Sequence, residues 1–150
     1  MQPFDSKIQK VIRKFSYPVW FIHRDSKILC TCVNFATKQP NQHCKKCLGT
    51  GRKIYIKKIQ AARQPFRLSI TGESLSSEYN VYTSYYTLND VNAAPYDLFI
   101  DGNEVDVIQD RYDERSNSSE SVYYRYLVAP KKQNKELFLK MFYSIIGGDR

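Results

Sequence analysis

Apolar and polar residues follow two different periods along this chain of 150 residues, and the changes of period mark its elements. From Phe4 to Phe15 the apolar positions 4, 8, 11, 12 and 15 fall on one helical face, with Asp5 or Ser6 placed to cap the start and Pro18 to stop the run. Extended signal follows at Val19-Trp20-Phe21-Ile22 and at Lys27-Ile28-Leu29. Between Lys53 and Ile59, Ile54 and Ile56 alternate with Lys53, Tyr55 and Lys57, the period of a half-buried strand. Residues 66–70 read as a further strand, 71–78 as a polar loop, and the tyrosine-rich run 79–86 as another strand. Asp97-Leu98-Phe99-Ile100 and Glu104-Val105-Asp106-Val107-Ile108 flank Asp101-Gly102-Asn103, a hairpin turn signal. The charged stretch 111–121 is expected to be a loop leading into a strand over 121–129. Helical spacing returns between Asn134 and Ile146, and Gly147-Gly148 ends it.

Short strands joined by polar loops predict a mainly β fold: a small antiparallel barrel or sandwich with a short N-terminal helix and a C-terminal helix. The length fits a single domain over 1–150, with an insertion at 28–56 and a β core at 66–129. No apolar run approaches the roughly twenty residues of a membrane span, so no membrane partner is expected.

The four cysteines change this picture most. Cys30, Cys32, Cys44 and Cys47 form C-x-C, a spacer, then C-x-x-C-x-G-T-G ending at Gly51. Two close pairs brought together by a hairpin-length spacer supply the four thiolates of a tetrahedral Zn²⁺ site. Gly49 and Gly51 permit the positive φ that a turn around a metal requires. Two disulfides are the other use of an even cysteine count. The N-terminus lacks the basic start and apolar run of a secretory leader, which favours the metal. His43 is expected to be solvent-exposed because four thiolates already fill a tetrahedron, and a filled tetrahedron makes the zinc structural.

The formal net charge of +8 is unevenly distributed, with residues 1–67 carrying +13 and residues 68–150 carrying −5. Such polarity suits contact with nucleic acid or attraction between copies of the chain and neighbouring subunits. Lys45, Lys46, Arg52, Lys53, Lys57 and Lys58 are the candidate residues for nucleic-acid contact or for facing a channel, with Tyr55 available to stack on a base. Catalysis has no obvious holders: there are two histidines, no Gly-x-Ser-x-Gly elbow, no phosphate-binding glycine loop and no paired carboxylates in an apolar setting. The chain is therefore expected not to be an enzyme, and redox use of the cysteines ranks below a closed metal site.

Two resemblances add to this reading. Cys44-Lys45-Lys46-Cys47-Leu48-Gly49-Thr50-Gly51 resembles one knuckle of the cysteine-rich zinc domain of J-domain co-chaperones. That family repeats the knuckle, so the likeness implies zinc and not chaperone activity. Phe99-Ile100-Asp101-Gly102, Val105-Asp106-Val107-Ile108 and Val122-Tyr123-Tyr124-Arg125 resemble the barrel core of the head-closure, or stopper, proteins of long-tailed bacteriophages. This second resemblance implies a structural virion protein of the neck, made in the host cytoplasm. It would form a homo-oligomeric ring around the DNA channel and meet portal, adaptor or tail proteins and, through its basic half, packaged DNA. A zinc-knuckle nucleic-acid-binding protein is the alternative.

Overall fold

The computed structural model describes residues 3–66, 82–115 and 120–147. In chain order these form α1 (Pro3–Phe15), β1 (Tyr17–Leu29), β2 (Arg52–Phe66), β3 (Tyr82–Thr87), β4 (Leu98–Asp101), β5 (Glu104–Arg115), β6 (Ser121–Pro130) and α2 (Lys135–Ile146). The six strands close into an antiparallel barrel in the order β1-β2-β3-β6-β5-β4, with β4 pairing back onto β1. Closure leaves the sandwich alternative aside and removes most of the exposed sheet edge.

Strand alternation gives the barrel two apolar faces. Val19, Phe21, Ala61, Tyr85, Phe99, Ile108, Tyr126 and Val128 fill the interior. Phe99 lies at its centre, stacked on Tyr85 at 4.3 Å and meeting Phe21 and Tyr126 at 5.4 and 5.6 Å. The alternate residues Trp20, Ile22, Leu98, Ile100, Val105 and Val107 point outward under α2, which contributes Phe138, Leu139, Met141 and Phe142. Asp106 is a charged side chain turned into this interior. It accepts hydrogen bonds from the Tyr85 hydroxyl at 2.7 Å and from Arg63 Nε at 3.3 Å, satisfying a carboxylate that is 1% exposed.

Several sequence expectations are revised. The first helix starts at Pro3, so Asp5 and Ser6 lie in its first turn and not at its cap. It ends where the Ser16 hydroxyl donates to the Ile12 carbonyl at 2.6 Å, and Pro18 lies inside β1 opposite Gln60. Proline is tolerated there because the pairing of β1 with β4 begins only at Trp20. β2 continues unbroken from Arg52 to Phe66, although Gln60-Ala61-Ala62-Arg63 carries no strand signature. Ala61 is fully buried, its small side chain lying among the large rings of the interior. The barrel therefore draws on residues from Tyr17 to Pro130, a wider span than 66–129. Residues 67–70, 71–78 and 79–81 lie outside the described part.

The stretch 111–115 is strand, not loop. β5 pairs with β6 as far as Arg115↔Ser121, with a register shift after Ile108. Past that shift Asp110 to Arg115 have no fully buried face, so no apolar period announces the strand there. Cross-strand pairs hold it: Arg125 stands 4.4 Å over the Tyr112 ring and 3.6 Å from Glu114, and Arg111 stands 5.4 Å over the Tyr124 ring. The Asp101-Gly102-Asn103 turn is as expected, with Gly102 at φ 60 between β4 and β5. Gly147, at φ 70, closes α2 by donating its N–H to the Tyr143 carbonyl at 3.1 Å.

Candidate metal centre

The segment 30–51 leaves β1 and re-enters β2 through a closed base, where the Cys30 N–H donates to the Gly51 carbonyl at 2.9 Å. Inside that base, asparagine side chains shape the turns. Asn34 Oδ1 accepts the N–H groups of Ala36 and Thr37, and Asn41 Oδ1 accepts that of His43. These Asx-type bonds replace ladder partners that a loop lacks. At the second knuckle Thr50 donates both its N–H and its hydroxyl to the Cys47 carbonyl, at 3.0 and 2.7 Å. Gly49 and Gly51 adopt φ +80 and +78, as the spacing predicts, and Leu48 joins them at φ 54.

These turns place the four sulfurs within 4.8 Å of one another. Cys30 Sγ lies 3.7 Å from Cys44 Sγ, and Cys32 Sγ lies 3.6 Å from Cys47 Sγ. A disulfide needs about 2.05 Å, whereas thiolates about 2.3 Å from a tetrahedral metal stand about 3.8 Å apart. The observed separations match the tetrahedron edge, and each close contact joins one knuckle to the other. Burial pushes the Cys47 thiol up to about 12 and also raises Cys32. Burial opposes ionisation of Cys44 too, but hydrogen bonds from the backbone at Cys47 and Lys46 and the neighbouring thiols outweigh it and bring that thiol down to about 7. A cation among the four would favour the thiolate at every position. The cluster can thus hold a metal ion, and four thiolates leave no open coordination position for a catalytic water.

The module is tied to the fold through Leu48, 3% exposed and packed with Phe138, Met141 and the outer face of the barrel. The sequence reading missed this residue, whose only signal was an apolar side chain between a ligand and a glycine. It also missed Asp97, which is fully buried. Asp97 accepts the N–H groups of Arg24 and Ala94, each at 2.9 Å, and lies 2.8 Å from His23 Nδ1, fixing the turn before β4 onto β1.

The six basic candidates are not gathered on one face. Lys45 and Lys46 are exposed on the second knuckle, beside exposed His43. Arg52 is half-buried and donates to the Ser26 carbonyl at 2.8 Å. Lys53 and Lys57 share one face of β2, with Lys53 5.3 Å over the exposed Tyr55 ring. Lys58 projects from the opposite face, 5.3 Å over Trp20. No helix of the described residues is long and apolar enough to cross a membrane. No protein-family model matches the chain, and no curated protein matches it.

Proposed function

We propose that this chain is a non-enzymatic structural protein of a tailed-phage neck, a head-closure or head-to-tail connector component with a structural zinc. The carrying observation is that the three motifs resembling stopper proteins fall on three consecutive strands, β4, β5 and β6, of one closed barrel. The uneven charge supports the same reading, since a basic half and an acidic half can meet oppositely charged neighbours or packaged DNA in a ring. Zinc is favoured among metals because four thiolates at tetrahedral spacing suit a soft-tolerant d¹⁰ cation without redox chemistry.

Native mass spectrometry of the purified chain, with metal analysis on the same sample, tests this. One zinc per chain in a discrete ring, or in a monomer that binds neighbouring portal, adaptor or tail proteins, is the expected result. A chain that stays monomeric, binds none of these and is absent from purified particles overturns the reading. The alternative, a zinc-knuckle nucleic-acid binder, draws on one specific feature, the exposed Tyr55 ring with Lys53 beside it on β2.

A further inference from the structure

Where β3 leaves the barrel, β2 loses a partner. β1 covers one edge of β2 from Ala61 down to Ile54, but on the other edge β3 covers only Ala62–Phe66. The edge from Lys57 to Gln60 therefore has no strand partner on that side among the described residues. It lines a cleft of about 490 Å³ instead, closed by the end of α1 at Arg13 and Ser16 and by the loop through Asn89 and Asp90.

The charges of this cleft are unbalanced. Arg13, Lys57 and Lys58 line it, all three exposed, and none belongs to an ion pair among the described residues. The one carboxylate of the lining, Asp90, is already engaged by Arg111. The ammonium groups of the two lysines stand 5.7 Å over Phe21 and 5.3 Å over Trp20, rings of the neighbouring β1. An antiparallel strand also directs alternate backbone N–H groups toward its free edge. Cations together with backbone donors are the chemistry that holds a phosphate group.

We propose that this cleft binds phosphate groups, through Arg13, Lys57, Lys58 and the free edge of β2. The assignment does not need the metal centre or a ring, and it takes Lys57 and Lys58 from the six basic candidates into one site with Arg13. A nucleic-acid backbone and a free nucleotide or phosphate ion both present this group, and the two sources are separable by experiment. Lysines on an unpaired edge also serve simply to block edge-to-edge association, which is the competing account of the same residues.

The test measures fluorescence anisotropy of a short labelled single-stranded DNA with the full chain, across a range of salt concentrations. Inorganic phosphate and a mononucleotide serve as competitors. The triple variant Arg13→Gln, Lys57→Gln, Lys58→Gln keeps most of each stem, and its fold is checked by circular dichroism. It should lose at least about tenfold in affinity at low salt. Its dependence of log K on log salt should flatten by about 2, at about 0.7 per lost contact. The pair Lys45→Gln, Lys46→Gln on the knuckle should bind as the unaltered chain does. DNA binding more than about tenfold tighter than the mononucleotide identifies a nucleic-acid strand. Equal affinities, with phosphate displacing both, identify a free phosphate group. Failure of the unaltered chain to bind any probe, full binding by the triple variant, or loss of binding in the knuckle pair alone overturns the proposal.

Discussion

At Leu48 one side chain joins the cysteine module to the rest of the molecule. It follows Cys47 directly, adopts φ 54, and is buried against α2. A left-handed conformation costs a residue with a Cβ about 1–2 kcal/mol, and burying a leucine returns about 1.5–3 kcal/mol, so the strain is sustained by the packing. Leu48→Ala keeps the Cβ and its strain but removes the packing, and it should lower the unfolding free energy by about 2–4 kcal/mol in denaturant titrations. Leu48→Gly removes the same contacts while relieving the backbone, and should be no worse than alanine. A glycine variant clearly less stable than the alanine one would show that the positive φ carries no strain. The cysteine spacing made the four-cysteine cluster and both glycines legible, because their chemistry is local. Leu48 was illegible because its partners, Phe138 and Met141, lie in an element far along the chain. Tyr85 and Tyr86 show the same limit: adjacency dictates that only one faces inward, but only the register Tyr85↔Tyr126 decides which.

Among the elements, α2 and the cysteine module pack together through Leu48 on the outside of the barrel. The two helices, the β4–β5 hairpin and the strands on either side of the cysteines were legible, since each carries an apolar period or a turn residue of its own. The middle of β2 and the charged end of β5 were not. Ala61 and Ala62 have little hydrophobic contrast, and Asp110 to Arg115 form a strand through pairing with β6 without a fully buried face. The outer layer also shows how far loss of a metal ion held by the four cysteines should spread. Removing it with a chelator should raise amide hydrogen exchange across 30–51 and, through Leu48, across α2 from Lys135 to Ile146. The strands β4, β5 and β6 should keep their protection, because their interior residues belong to a separate cluster around Phe99. Protection lost throughout β4, β5 and β6 would mean that metal and barrel fold as one unit. Protection unchanged in α2 would mean that Leu48 does not couple them.

For the whole molecule, an interior built of aromatic rings has a consequence in alkali. Tyr85 is held un-ionised well above the usual phenol range, first by burial and then by the nearby Asp106 carboxylate, with Arg63 opposing. Burial also raises Tyr17, Tyr123 and Tyr126, helped at Tyr17 by its hydrogen bond to Asp101. In the unfolded chain all four titrate near the ordinary value of about 10. Above that pH the unfolded state binds fewer protons than the folded one, so stability falls as pH rises. The contribution of these phenols is complete below about pH 10 and is lost as pH climbs toward their folded-state values. Phenolate absorbance near 295 nm, followed with far-ultraviolet circular dichroism, should therefore show two populations. One population should titrate first, with the β signal intact. Tyr85 and Tyr126 should ionise only in a later, steep step that coincides with loss of strand signal. Tyr85→Phe should remove one proton from that step. It should also cost about 1–3 kcal/mol at neutral pH, because Asp106 loses a hydrogen bond in a site it cannot leave. Titration of all twelve tyrosines as one group, with the circular dichroism unchanged, would show that the barrel interior is open to solvent.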